Sequence, residues 1–592
     1  MKPRCGYESV TNKKSIRIIA ELEELKRRVS APPAQLAVQL RQLSRRKFPE
    51  AEALIHFHEA LLFFRAYPHS ASVLKQVEDI LKTFDRRVSQ FRDAHADLSP
   101  FDDPEVSGIA GTSVTSNFSY AIVRWLVKKY PTQISIDWGW LEDDERFGTT
   151  MPRFLPLLEE DAMVEAHVPY RDWLRAAKGR ANELVWLIAR FESLQISDKA
   201  KTELYDSLKL HMRWEFKFHA SRTGMRLPVR KIFFHQTRLI QRRDISLAAE
   251  LVSPPIPWKR LSRAAGERIL DMARETSAVR YRELHGFTYG DSRRMLKADL
   301  GLGIKVFVMG VPPEHRLPLR AYHAALIFKN GIPVAYFEGL SLFERMESGF
   351  NLYYTFREGE TAWLFARILR LMRQLLGVTV ISIDPYQIGH HNEEGIESGA
   401  FWFYRKFGFR PVRPELMKLA LTEEEKIAAN PAYRTPSRTL KKLAVGHLLF
   451  EMPRGKLRQE VSEWDRFEVR NVGLAVQRRM ARDFDGDAHK LRAHSANFVE
   501  GVLGRKGEQR NTAELHVLES FAPVLAMIPE IARWKPGDKQ LAARILQAKA
   551  NRDEALYLKL MQQHEPLRAA VIQLGSSIGY IGATSNARLK SR

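Results

Sequence analysis

The sequence predicts an α+β protein in which a central mixed sheet with packed helices, spanning 259–420, is flanked by mainly α-helical N- and C-terminal regions. Three observations carry this reading. Asn330-Gly331 joins two apolar runs in the manner of a hairpin, strand-like and helix-like patterns alternate between Lys305 and Val412, and in both flanks apolar residues recur at three- and four-residue spacings.

From Ser15 to about Gln90, Ile19, Leu22 and Leu25, and later Leu54, Phe57 and Leu61, mark a helical region assigned to 1–100. Leu98 to Pro104 and the Gly/Ser/Thr-rich stretch Ser107 to Ser116 read as loop ahead of a helix from Tyr120 to Lys129. A second mainly helical region covers 117–250, with Leu184, Leu187, Ile188 and Phe191 on one stripe. Prolines and basic residues from Arg226 to Trp258 read as a linker or domain entrance.

In the central segment a helix from Leu261 to His285 precedes a strand at Lys305 to Met309. Ala321 to Phe328 and Ile332 to Gly339 form the hairpin, because Asn-Gly accepts positive φ at both central turn positions. A strand at Phe350 to Phe356 leads to a helix, Thr361 to Leu376, with Leu364, Ile368, Leu371 and Leu375 in register. Val378 to Ile383 reads as a buried strand, Glu393 to Phe407 as a helix, and Arg410 to Val412 as the start of the last strand. After Leu421 the periodicity is helical almost throughout 421–575, and a Gly/Ser-rich basic tail occupies 576–592.

Composition narrows the class. A chain of 592 residues with 45% hydrophobic and 28% charged side chains is globular, not disordered, and long enough for several domains. A single cysteine, Cys5, excludes an intrachain disulfide framework. Met1 to Lys14 has no secretory apolar stretch, and no run approaches the roughly 20 apolar residues of a membrane span, so a cytoplasmic protein without membrane insertion is expected. The formal charge of +23, from 93 basic and 70 acidic side chains, favours polyanions as partners, among them nucleic acid and phosphate-bearing cofactors.

The run Gly399-Ala-Phe-Trp-Phe-Tyr-Arg-Lys-Phe-Gly-Phe-Arg-Pro-Val412 resembles the last helix and strand of the GNAT acyl-CoA N-acyltransferase superfamily, with Ala400, Tyr404, Gly408 and Phe409 at the motif positions. The preceding hairpin and strand resemble the family's second to fourth strands. The resemblance covers about a quarter of the chain, the central segment only. It implies an acyl-CoA N-acyltransferase domain using acetyl-CoA or another acyl-CoA as cosubstrate and an amine as acceptor. The family binds the CoA pyrophosphate on backbone amides of a loop that here reads Arg357-Glu-Gly-Glu-Thr-Ala362. Arg357 and Ala362 match the pattern, with Gly359 and Thr361 beside them. Glu360 stands where the family has a glycine, so a carboxylate would face the diphosphate.

By the same resemblance Tyr404 would protonate the departing thiolate, and a backbone amide near Tyr354, Thr355 and Phe356 would hold the thioester carbonyl. The acceptor's proton would pass to a carboxylate or imidazole, for which Glu338 leads and Glu344, Glu347 and His323 are further candidates. Each also has an ordinary reading, Tyr404 as a core aromatic and Glu338 as an exposed strand residue. The polar stretch Asp384 to Gly395 reads as a substrate-facing loop or simply a surface loop.

No metal is expected. His390 and His391 are adjacent and so diverge, and Asp483 to Asp487 lacks the glutamate a calcium loop needs, since its twelfth position is His494. Two functions follow. One is an acyl-CoA-dependent N-acyltransferase working by direct attack in a ternary complex. The other is a non-catalytic interaction protein of the same fold that binds a macromolecular, anionic partner, favoured by Glu360.

Overall fold

The computed structural model describes residues 13–27, 33–141, 144–155, 169–452, 462–505, 507, 509–551 and 553–576. The N-terminal residues 1–12 and the tail from 577 lie outside them. Among the described residues the strands are β1 (Ser113–Ser116), β2 (Ile134–Ile136), β3 (Met212–Glu215), β4 (Trp258–Arg260), β5 (Leu296–Gly301) and β6 (Ile304–Met309). They continue with β7 (Ala321–Lys329), β8 (Ile332–Leu342), β9 (Arg345–Leu352), β10 (Val380–Ile383), β11 (Arg410–Pro411) and β12 (Leu448–Glu451). With many helices on either side the architecture is α+β, as expected.

Nine strands form the central sheet in the order β11-β12-β10-β9-β8-β7-β6-β5-β4. Neighbours run antiparallel except β9 and β10, which pair in parallel through Val380 with Arg345, Ile381 with Met346 and Ser382 with Glu347. The hairpin between β7 and β8 turns on Asn330 and Gly331 at φ of 50° and 84°, the positive values its twist requires. The Asn330 side chain then anchors the tip, donating to Ala66 O and Phe233 O and accepting from Phe233 N.

Several boundaries differ from the sequence reading. The strand expected at Phe350 to Phe356 begins earlier, at Arg345, and stops at Leu352. Tyr353 N makes one last bond to Val334 O, and the chain then tightens into a 3-10 turn at Tyr354–Phe356. The helix expected from Glu393 to Phe407 is two pieces, Glu393–Glu397 and Ala400–Arg405, because Gly399 sits at φ 65° between them. Ser113–Ser116, read as loop, is β1 of a three-stranded antiparallel sheet with β3 in the middle. Leu448–Glu451, inside the region read as helical, is β12, since a short apolar run such as Leu448 to Phe450 fits a buried strand as well as a buried helix.

The helix Ala51–Ala66 is buried on nearly all its circumference, not along one stripe. It shares a single hydrophobic core with β6–β10, the helix Thr361–Leu376 and the C-terminal helices. The segment Val114 to Phe216 closes a second core of its own around Trp214, Tyr205 and Phe191. Arg226 to Trp258, read as a linker, is laid against the protein, with Leu227 N bonded to Gly331 O and His235 N to Pro68 O. Among the described residues no helix is long and apolar enough to cross a membrane.

Candidate functional site: the strand-to-helix loop and the fork of the sheet

The loop after β9 runs from the 3-10 turn Tyr354–Phe356 into the helix Thr361–Leu376, with Glu360 as its N-cap residue. Such a helix start presents unpaired amides suited to an anion. Here the end of the helix Ala51–Ala66 covers it. The Tyr67 hydroxyl bonds to the backbone of Glu360, and a Cβ built on Gly359 would lie 2.4 Å from that oxygen, so only glycine fits beneath the ring. The Glu360 carboxylate turns inward, 3.0 Å from Lys329 Nζ and 3.4 Å from the amide of Ile240.

This pair is deeply enclosed, with the Lys329 side chain 0% and the Glu360 side chain 4% exposed. The Lys329 ammonium also lies over the rings of Tyr67 and Phe233, at 4.7 and 5.3 Å. Burial pulls the Lys329 amine from 10.5 down to about 8, against the opposing attraction of Glu360.

The expected carbonyl-binding residues are tied in the same way. Tyr354, Thr355 and Phe356 stand in the 3-10 turn and not on a strand, and Thr355 and Phe356 are buried. The Thr355 hydroxyl donates to the Glu59 carboxylate, which Arg222 grips at 2.7 Å and His58 Nδ1 approaches at 2.9 Å. Burial alone would raise the Glu59 carboxyl, but the Arg222 charge and the His58 hydrogen bond outweigh it and hold it well below the usual carboxylate range. Arg357 is exposed and pairs with Glu394 and, at 3.5 Å, with Glu105. The Thr361 hydroxyl donates to Arg357 O, and Ala362 is buried.

Tyr404 lies in the helix Ala400–Arg405, 4% exposed, among Phe365, Phe403 and Phe409 with ring centroids 5.6, 5.2 and 5.8 Å away. Burial raises its phenol further above the ordinary value. Glu338 is a half-buried strand residue, not an exposed one: the Tyr322 hydroxyl donates to it while accepting from Gly286 N, and burial raises its carboxyl. Tyr404 and Glu338 belong to opposite faces of the sheet. Phe337 pairs with Phe350, whose ring meets Phe365 on the Tyr404 side, so the next residue along β8 points away.

Of the further proton acceptors, Glu344 is held by Arg568 and by Trp464 Nε1. His323 is 8% exposed and lines a cavity of about 190 Å³ with Arg316, Glu554 and Lys559. Glu347 stands at the fork where β9 and β10 part, beside Asp384 and His447, with ligand atoms of all three within 4.8 Å of one another. Within the loop Asp384 to Gly395, Asp384 caps the turn Pro385–Ile388, Asn392 caps Glu393–Glu397, and the rings of His390 and His391 lie 4.2 Å apart.

The sequence reading did not single out Tyr67, Glu59, Arg222, Lys329 or His447. Each comes from a distant stretch, so spacing carries no signal; a glutamate, an arginine and a histidine in otherwise apolar or turn-forming surroundings were the available hints. Comparisons with protein-family models, with curated proteins and with solved structures return no match.

Proposed function

We propose that the chain is a non-catalytic binding protein for an anionic macromolecule, built on a GNAT-like sheet whose phosphate loop has become a structural joint. The observation that carries this reading is the closed loop: Tyr67 takes the Glu360 backbone, Glu360 is neutralised internally by Lys329, and Glu59 takes Thr355. A diphosphate would have to displace a buried ion pair and an entire core helix. The positive charge lies elsewhere. At the outer strands of the sheet Lys297 is opposite Lys259 and feels the charges of Lys305 and Arg230, and among the described residues only Lys305 of the four forms an ion pair, with Asp299.

Titration of the full chain with acetyl-CoA and, separately, with a fluorescent DNA oligonucleotide tests the proposal. Acetyl-CoA should not saturate. The oligonucleotide should bind with salt-dependent affinity, and removing three cations (Arg230→Ala, Lys259→Ala, Lys297→Ala) should flatten the log K against log salt slope by about 2 to 3, at roughly 0.9 per phosphate contact. Saturable, salt-resistant acetyl-CoA binding, or an unchanged slope in the triple variant, would overturn it.

One observation favours the enzyme reading. β9 and β10 pair over three residues and then separate, as the corresponding strands of the resembled family diverge. In that reading a neutral amine attacks the thioester carbonyl, the C–N bond forms as the C–S bond breaks, Tyr404 gives its proton to the thiolate, and the proton lost by the nitrogen leaves through water and restores the phenol. Acetyl-CoA binding in the titration above is the outcome that would restore it.

A further inference from the structure

The fork of the sheet carries an arrangement that neither reading uses. Glu347 comes from β9, Asp384 follows the last residue of β10, and His447 directly precedes β12, so three strands deliver two carboxylates and an imidazole to one point. Their ligand atoms lie within 4.8 Å of one another. Glu347 is the partner of Ser382 in the last rung of the parallel pair, so the cluster sits where the two strands stop bonding to each other.

The charges around it are only partly balanced by protein, with Arg345 on the same strand feeling both Glu347 and Glu468. Arg320 approaches Glu347 at 3.5 Å, and Asp384 makes no ion pair among the described residues, its Oδ1 accepting from Tyr386 N at 2.8 Å. Two carboxylates this close repel, and a single cation touching both would reverse the sign. The histidine is arranged to help. His447 Nε2 faces the Glu468 carboxylate at 3.6 Å, whereas Nδ1 is buried with no hydrogen-bond partner among the described residues. A carboxylate beside one ring nitrogen orients an imidazole and leaves the other nitrogen free for an ion, as behind many metal-bound histidines.

We infer that Glu347, Asp384 and His447 form a site for one divalent cation at the fork of β9, β10 and β12. Two carboxylate oxygens and one imidazole nitrogen suit Mn²⁺, Fe²⁺ or Zn²⁺ better than Ca²⁺ or Mg²⁺, which prefer all-oxygen shells. Three protein ligands leave coordination positions open, so the ion would be accessible to water or to a further ligand on the sheet face that also carries Glu338. Contact between the strands does not depend on the ion. Hydrogen bonds of β12 to β10 already join them, so the cation site is an addition to the fold and not its support.

The test is calorimetric titration of the full chain, freed of metal with a chelator, with Mn²⁺ and in parallel with Zn²⁺. It uses neither acetyl-CoA nor DNA, so its outcome is independent of the proposed function. Near-isosteric variants are available, since Glu347→Gln keeps the side-chain volume and Asp384→Asn keeps the oxygen that caps Tyr386 N. The expected result is one ion per chain, with affinity lowered at least about tenfold in each variant and metal-free melting unchanged. For Mn²⁺ the bound ion should show one nitrogen coupling by electron spin resonance, absent in His447→Gln. The inference is overturned if neither ion binds saturably, or if both variants retain affinity within about twofold, which would locate the ion at another of the histidines.

Discussion

Separating Lys329 from Glu360 is the sharpest test of the closed loop. Their charged atoms are 3.0 Å apart, and neither side chain is more than 4% exposed. Breaking such a pair from one side leaves a bare charge in the core and costs about 3 to 5 kcal/mol, whereas replacing both partners is close to neutral. Lys329→Met should therefore cost about 3 to 5 kcal/mol, because Glu360 would keep only the Ile240 amide at 3.4 Å. Glu360→Gln should cost less, about 2 to 3 kcal/mol, because an amine already pulled to about 8 can shed its proton when its partner goes. The double variant should cost no more than Lys329→Met alone, giving a coupling energy of about 2 kcal/mol or more. Urea unfolding of the four proteins, followed by tryptophan fluorescence with slopes compared to confirm a common transition, supplies the cycle. Additive single effects, each below about 1 kcal/mol, would mean that the pair is solvated in solution and that the loop is open to an anion.

Two further outcomes are expected. Tyr322→Phe removes the hydroxyl that donates to the half-buried Glu338 carboxylate, which should cost about 1 to 3 kcal/mol and raise the Glu338 carboxyl further, readable by urea unfolding at pH 5 and pH 8; a change below about 0.5 kcal/mol would show that water replaces the donor. His235 is 4% exposed and held down to about 3 by burial, then by the nearby charge of Lys329. The unfolded chain therefore takes up a proton near pH 6.5 that the folded chain refuses until about 3, so this group's contribution is full above 6.5 and is lost on acidification through that window, at up to about 1.4 kcal/mol per pH unit. His235→Phe should flatten the decline in stability between pH 6.5 and 4.5 relative to the parent, and parallel profiles would refute the assignment.

The parts of this fold legible in sequence are those fixed by local chemistry. Asn330-Gly331 demands its turn wherever it stands, and Leu364, Ile368, Leu371 and Leu375 specify the buried side of the helix Thr361–Leu376. Tyr404 was readable as either a proton donor or a core aromatic, and its surroundings of three phenylalanine rings are those of a core aromatic. What was not legible depends on long-range burial. Nothing near Ala51 says that Glu59 will meet Arg222, or that Tyr67 will cover Gly359. Nothing near Leu448 says that three apolar residues and a glutamate will be inserted between β10 and β11.

Glu360 shows how one residue can be read correctly in part and still point two ways. In sequence it is a carboxylate where a phosphate loop wants a glycine, which argues against an anion at that position. In the structure the obstacle to an anion is greater and of another kind. A carboxylate left facing the loop would repel a diphosphate by charge alone, and a register shift would cure that. A carboxylate turned inward to Lys329, with Tyr67 packed on the glycine beside it, removes the space as well as the charge complementarity. A shift of register cannot restore either, because Gly359 is already used to admit the tyrosine ring. The helix Ala51–Ala66 is thus part of the same solution as Glu360: an aromatic lid on the loop is tolerable only when the loop's own anion has a buried cation, and Lys329 on β7 is that cation.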